Sequence, residues 1–394
     1  MRIHCRTSFR PYGFSVCALV LLSFATSLVS GCGAFFTCVG KTSCPTTTPP
    51  GGTGSSSTDF AYVSNSVTGI TYVNGYNLTA GTLAAATNAP FSLGYSPSAM
   101  AINPANTYMY VASDSSLSAG VGYIYGYAIG TGGTLSILSS GSPLENESVT
   151  SIDISPDGKW LFALDTNGLT LEEYSINSTT GALTFGQTYG ITGAVNGLIT
   201  PSEVKVAPTG DYLVVAMGTG GAETFSFNTT TGAAAAIKLI SPATAASGIY
   251  AAAADSNHYL YCAGTAGLQV FSTTTVGVPT LMKTYAAGNG AHSLVINSAS
   301  TYVYVGNQTD STISGYAIGT TGALTPLTGS PYAAPKTVNA LAIDSTKAYL
   351  IASGYNSSTG IQLFAIGAAG ALTSSASSGS GTITAIPGAI AVTH

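Results

Sequence analysis

Residues 151–188 read Ser-Ile-Asp-Ile-Ser-Pro-Asp-Gly-Lys-Trp-Leu-Phe-Ala-Leu-Asp-Thr-Asn-Gly-Leu-Thr-Leu-Glu-Glu-Tyr-Ser-Ile-Asn-Ser-Thr-Thr-Gly-Ala-Leu-Thr-Phe-Gly-Gln-Thr. Four strand-like runs lie in this stretch. Ser151 to Ser155 alternates polar and apolar, the period-two signature of a strand with one face buried. Pro156-Asp157-Gly158 then turns the chain: Pro presets φ, Asp bonds back to the backbone, and Gly accepts positive φ. Trp160 to Leu164 is a buried apolar run, Leu169 to Ile176 a third strand, and Leu183 to Thr188 a fourth after the turn at Thr180-Gly181.

The same unit recurs along the chain. An aromatic near the end of the third strand is followed by small polar residues and then a glycine, at Tyr76, Tyr127, Tyr174, Phe225, Phe271, Tyr316 and Phe364. The matching glycines are Gly81, Gly133, Gly181, Gly232, Gly277, Gly322 and Gly370, spaced 45 to 52 residues apart. Repeats of that length built from four short strands predict an all-β fold, a β-propeller of four-stranded antiparallel blades over residues 59–394.

The innermost strand of each predicted blade carries two alternating aliphatics. They are Met100 and Ile102, Ile152 and Ile154, Val204 and Val206, Ala252 and Ala254, Leu294 and Ile296, Leu341 and Ile343, and Ile390 and Val392. At roughly 1.5–3 kcal/mol per buried aliphatic side chain, these fourteen are expected to form a substantial core. The first repeat begins with its second strand, Ala61-Tyr62-Val63-Ser64-Asn65, and Gly388 to Thr393 reads as an innermost strand with nothing after it. Pairing the two completes a seventh blade and removes the exposed sheet edges, so the expected number is seven, with the ring closed by the C-terminal strand.

Residues 1–31 stand outside this pattern. Arg2, Arg6 and Arg10 precede an apolar stretch from Phe14 to Val29, and Leu28-Val29-Ser30-Gly31-Cys32 follows. That is the shape of a secretory signal, and its last five residues resemble the bacterial lipobox, which implies lipid attachment at Cys32. An uncleaved membrane anchor is the alternative, because the apolar stretch is nearly long enough to span. Residues 32–58 are rich in Pro, Thr, Gly and Ser and read as a tether; the 26 residues after Cys32 reach roughly 25–30 Å as a flexible coil. Cys38 and Cys44 either pair in an oxidising compartment or remain two free thiols. Cys262, in Leu260-Tyr261-Cys262-Ala263, is expected to be a small buried hydrophobe.

Charge is sparse, at 6% of residues. All three arginines fall in the first ten residues; the ten cations less these three leave seven lysines against fifteen carboxylates, a balance of −8 from Cys32 onward. A chain without clustered Lys and Arg is not expected to bind nucleic acid. No His-x-x-x-His or Cys-x-x-Cys spacing occurs in the repeats, and Asp255, Asp310 and Asp344 fall singly at or near turns, so neither metal nor cofactor is expected.

Tyr62-Val63-Ser64-Asn65, its echo Tyr304-Val305-Gly306-Asn307, the turns at Thr180 to Thr184 and Thr321 to Thr325 (Thr-Gly-Ala-Leu-Thr), and Ser155-Pro156-Asp157-Gly158-Lys159 resemble the YVTN and lactonase-like seven-bladed propellers. The resemblance covers about residues 59–394. It implies a relation to 6-phosphogluconolactonases and carboxymuconate-cyclising enzymes, as well as to exported proteins without assigned activity. Enzymes of this kind carry His, Glu and Arg near the central channel, often with a His opening an innermost strand. Here Ala291-His292-Ser293-Leu294 supplies one such His, whereas Ser98, Thr150, Ser202 and Asn339 open other blades, and no Arg follows Arg10. A phosphorylated lactone would meet a net negative protein.

His292, Glu203, Lys205 and Asp153 are therefore the candidate site residues near the channel. Asp153 and Lys205 occupy matching positions in consecutive blades, which predicts an interblade ion pair, structural or part of a polar channel mouth with Glu203. His292 reads as a hydrogen-bonded structural residue or as a general base. The leading functional expectation is a monomeric, lipid-anchored cell-envelope propeller that binds a protein or small molecule through its loops, including Gly141 to Val149 and Gly190 to Ser202, without catalysis. The alternative is hydrolysis of a neutral or weakly charged lactone at the channel, with His292 as base and Lys205 or backbone amides as electrophile. A purely structural envelope role differs from the first only in its partner.

Overall fold

Each repeat folds into one antiparallel sheet, and seven such sheets form the ring. The computed structural model describes residues 59–394 apart from 68–69, 79–80, 114–121, 140–147, 194–197, 243, 245–246, 356–359 and 379–388. The signal, Cys32, the tether with Cys38 and Cys44, and most of the Gly141 to Val149 loop lie outside the described residues.

In six blades the strand order from channel to rim follows the chain. The innermost strands are Ala99–Ile102, Val149–Ile154, Glu203–Val206, Ile249–Ala254, Ala291–Ile296 and Val338–Ile343. The remaining blade is assembled from both ends of the described chain: Ile390–Val392 lies antiparallel to Phe60–Val67, pairing Ala61 with Val392 and Val63 with Ile390. Thr393 and Phe60 reinforce the seam, since the Phe60 amide donates to Thr393 Oγ1 at 2.9 Å and the Thr393 amide to the Phe60 carbonyl at 3.0 Å. The seven innermost strands touch one another in sequence around the ring, with Ile390–Val392 seated between Val338–Ile343 and Ala99–Ile102. The predicted number of blades and the predicted closure both hold. Two blades carry an extra short outer strand, Phe91–Leu93 and Tyr332–Ala333.

The turns follow the sequence chemistry closely. Between the first and second strands an Asx-type residue caps the turn: Asn103, Asp255, Asn297 and Asp344 each accept from backbone amides two to five residues on. The carboxylates of Asp255 and Asp344 are thereby committed to their own hairpins. The third strand of the Ser151 repeat starts at Thr170, one residue later than its pattern predicts. Leu169 stands at φ 51° because the Asp165 carboxylate accepts from the Asn167 and Gly168 amides and tightens the turn before it.

The repeated aromatics are all buried, and in four blades a register shift sits immediately before them, at Tyr174, Phe225, Phe271 and Phe364. The repeated glycines have a role that their own strands do not reveal. All seven lie at φ between 68° and 81°. Each faces an aromatic that opens the second strand of the preceding blade: Tyr349 on Gly81, Phe60 on Gly133, Tyr108 on Gly181, Trp160 on Gly232, Tyr212 on Gly277, Tyr259 on Gly322 and Tyr302 on Gly370. Three tyrosines two residues further on, Tyr62, Tyr110 and Tyr304, donate to the carbonyls of Gly133, Gly181 and Gly370 at 2.7–3.0 Å. The Gly in the repeat is thus the socket for the neighbouring blade.

The core departs from the expectation in one respect. Nine of the fourteen paired aliphatics are buried, from Met100 to Leu294 in chain order, but Ile296, Leu341, Ile343, Ile390 and Val392 are only half-buried. Those five belong to three consecutive blades and open onto the central channel. Cys262 is buried with its thiol free, and burial pushes that thiol far above its ordinary range.

Candidate functional site

The innermost strands converge on a cavity of about 670 Å³, to which all seven blades contribute side chains. The residues between the paired aliphatics form a ring around it: Ala101, Asp153, Lys205, Ala253, Val295, Ala342 and Ala391. One acid and one base interrupt an otherwise apolar ring, and they sit in neighbouring blades. Lys205 Nζ lies 3.8 Å from Asp153 Oδ1, with the two side chains 37% and 23% exposed, so the predicted interblade ion pair exists and remains in reach of water.

Glu203 joins this pair from the start of the same strand. Residues two apart on a strand share a face, which places the Glu203 carboxylate on the side of Lys205. Glu203 Oε2 accepts from the Ala252 amide at 2.9 Å, and Asp153 Oδ2 accepts from the Val206 amide at 2.8 Å. Both acids therefore stitch one innermost strand to the next. Ser151 does the same, its hydroxyl accepting from the Val204 amide at 3.1 Å.

Burial pushes the Glu203 carboxyl up to about 7; Lys205 and the Ala252 amide oppose that rise, while Asp153 adds to it. Lys205 is held above the ordinary lysine range chiefly by Asp153, with burial opposing and Glu203 assisting. The channel thus holds an ammonium between two carboxyl groups, of which Glu203 changes protonation near neutrality. Such a group, within reach of water, can accept a proton from it, and the ammonium can stabilise developing negative charge.

His292 stands apart from this trio. It opens the innermost strand Ala291–Ile296 and does not line the cavity. Its ring stacks on Tyr250 of the preceding blade, centroids 5.4 Å apart and planes 13° from parallel. Burial draws its pKa below the ordinary histidine range, with a smaller opposing effect from its own backbone, so the ring is neutral around pH 7. Of the four candidates, Asp153, Glu203 and Lys205 come together, and His292 does not join them.

Two features of the site were not read from the sequence. The Tyr250–His292 stack is not legible from alternation because each residue sits at a register shift of its strand, Tyr250 between Ile249 and Ala251 and His292 between Ala291 and Ser293. The apolar wall of Ile296, Leu341 and Ile343 was assigned to the core, since period-two alternation marks a buried face without saying how wide the channel beside it is. Among the described residues, no group of three or more His, Cys, Asp or Glu side chains is placed to hold a metal ion.

The model of the lactonase family, a seven-bladed β-propeller, matches residues 60–250 and 259–382. Among solved structures, a periplasmic gluconolactonase of Pseudomonas aeruginosa aligns with a TM-score of 0.68 at 14% identity, over 84% of this chain and 99% of its own. A 6-phosphogluconolactonase-like protein of Bacteroides fragilis aligns with a TM-score of 0.63 at 17% identity, over 81% and 94%. A Lactobacillus plantarum protein aligns with a TM-score of 0.65 at 17% identity, over 85% and 98%. At these identities the solved structures share the fold with this chain and nothing finer. No curated protein matches significantly. With its family model covering most of the propeller and seven blades closed into a ring, the chain belongs to the lactonase family of seven-bladed β-propellers.

Proposed function

We propose that this protein hydrolyses a neutral lactone in its central channel, with Glu203 as general base and Lys205 as the electrostatic partner of the oxyanion. The observation that carries this reading is the half-buried Glu203 carboxyl, poised at about 7 beside an ammonium inside a cavity. Water attacks the lactone carbonyl while Glu203 takes its proton. The carbonyl oxygen becomes negative next to Lys205. Collapse breaks the bond from the carbonyl carbon to the ring oxygen, which recovers the proton from Glu203 and leaves a hydroxy acid. The names of the gluconolactonase neighbours favour this chemistry. The substrate is uncharged in this reading, because no Arg follows Arg10 and the chain beyond Cys32 is net negative.

The test is acid release from a lactone panel by the whole protein, beside its Glu203→Gln variant. Loss of about 10²-fold or more in kcat, with the fold intact, is expected; unchanged turnover would remove Glu203 from the mechanism.

A second reading, a binding module without catalysis, is favoured by a specific observation. One oxygen each of Asp153 and Glu203 is already engaged by a backbone amide of the next blade, as in a purely structural pair. Tight lactone binding with no acid release by the wild type would establish it.

The cellular address belongs to the same proposal: export by the N-terminal segment and lipid attachment at Cys32. Support comes from the basic start, the apolar stretch and Leu28 to Cys32, and from a periplasmic neighbour. Several acyl chains on Cys32 would anchor firmly where one is marginal. Incorporation of a labelled lipid precursor, lost in Cys32→Ser, is expected; no incorporation by the wild type removes the anchor.

A further inference from the structure

The channel has two unlike sides. Asp153, Glu203 and Lys205 project from two adjacent blades. Ile296, Leu341, Ile343, Ile390 and Val392 come from three consecutive blades elsewhere in the ring. Those five are half-buried, unlike their counterparts in the other blades, so their apolar surface is available to a ligand.

Most polar groups lining the cavity are already engaged: the Ser256 and Ser300 hydroxyls bond to each other, Ser345 donates to Asp59, Thr393 Oγ1 accepts from the Phe60 amide, and His394 Nε2 meets the Ile102 carbonyl. Asp255 accepts from the Asn257 and Tyr259 amides and the Tyr261 hydroxyl, Asp344 from the Tyr349 amide and the Thr346 hydroxyl, and Asn297 spends its side chain on Thr301 and Tyr302. Their hydrogen-bonding capacity is largely used within their own turns. A polyhydroxylated ring placed here would bury several hydroxyls with few partners, which disfavours it strongly. A molecule with one polar function and an apolar body would satisfy both sides at once, and 670 Å³ is within the usual range for small-molecule sites, roughly 300–1,000 Å³.

We infer that the channel takes lactones bearing an alkyl or aryl substituent, with the ring carbonyl at Lys205 and Glu203 and the substituent against Leu341, Ile343 and Ile390. This substrate class rests on the channel being the site of lactone chemistry, and the experiment separates the two. Acid release by the whole protein is measured for δ-decalactone and for glucono-δ-lactone. In parallel, calorimetry measures binding of 2-pentylcyclohexanone, a carbonyl ring that cannot be hydrolysed, to the wild type and to Leu341→Asn.

The expected result is a kcat/KM for the alkyl lactone at least about tenfold above that for the sugar lactone. Binding of the ketone should show a negative heat-capacity change and weaken about tenfold in Leu341→Asn. Ketone binding that weakens in this way, with no lactone hydrolysed, leaves the ligand class standing and removes the catalytic reading. Equal or better turnover of the sugar lactone overturns the inference and keeps the catalysis. Absence of both ketone binding and alkyl-lactone turnover in the wild type also overturns it, whatever becomes of the variant.

Discussion

The Tyr304 hydroxyl donates a 2.7 Å hydrogen bond to the Gly370 carbonyl, from the second strand of one blade to the outer hairpin of the next. Both residues are held there by the repeat. Tyr304 is fully buried, and Gly370 stands at φ 80° against the Tyr302 ring, where a β-carbon would come within 2.5 Å of Tyr302 Cδ1. Gly370→Ala must meet the left-handed backbone and the ring together, so a loss of about 2–4 kcal/mol is expected. Tyr304→Phe keeps the packing but strands a buried carbonyl, at about 1–2 kcal/mol. Chemical denaturation of both variants checks the order; a Gly370→Ala protein as stable as the wild type would show that the socket is not needed.

This seam explains why the architecture was legible before the structure. The spacing of Gly81 to Gly370 and the alternation at Ile152 and Ile154 encode local geometry, and local geometry repeated seven times leaves few ways to close a sheet edge. The partner of each glycine was not legible, because Tyr302 and Gly370 are joined only by stacking one blade on another. The site was half legible for the same kind of reason. Asp153 and Lys205 occupy equivalent registers in consecutive repeats, so their meeting could be read from spacing. The position of His292 could not, since nothing in Ala291-His292-Ser293 fixes how far along the channel axis the cavity extends.

Ring closure rests on a short strand, Ile390–Val392, and on Thr393 beyond it. Replacing Thr393 by Val retains the shape while removing the acceptor of the buried Phe60 amide. About 1–3 kcal/mol of destabilisation is expected. Because this seam joins the two ends of the propeller, deleting residues 389–394 exposes the edge of Phe60–Val67 and should produce self-association, visible by light scattering. A monomeric deletion variant with unchanged stability would show that the closing strand contributes little.

Glu203 ties stability to pH. Its folded pKa of about 7 lies above the ordinary 4.5, so the folded protein keeps this proton after the unfolded chain has released it. The stabilising contribution is complete below about pH 4.5 and is lost as pH rises through about 7. Glu203→Gln remains neutral throughout. The stability of the wild type relative to this variant should therefore fall by about 1–3 kcal/mol between pH 4.5 and 8. Parallel stability curves for the two proteins over that window would contradict the burial of this carboxyl.

Asp153→Asn separates the structural from the electrostatic work of the channel. Asparagine still offers an oxygen that accepts from the Val206 amide, only the charge facing Lys205 is lost, and a water-accessible ion pair contributes only about 0–1 kcal/mol. The melting temperature should therefore move by no more than a few degrees. The titrations should move more clearly. Lys205 loses the carboxylate that chiefly raises it, and Glu203 loses a repelling neighbour, so both pKa values fall. With Glu203 as the base, lactone turnover rises with pH through a midpoint at about 7 in the wild type, and in Asp153→Asn that midpoint shifts to lower pH. An unshifted profile accompanied by a large loss of stability would make Asp153 a strand fastener and nothing else.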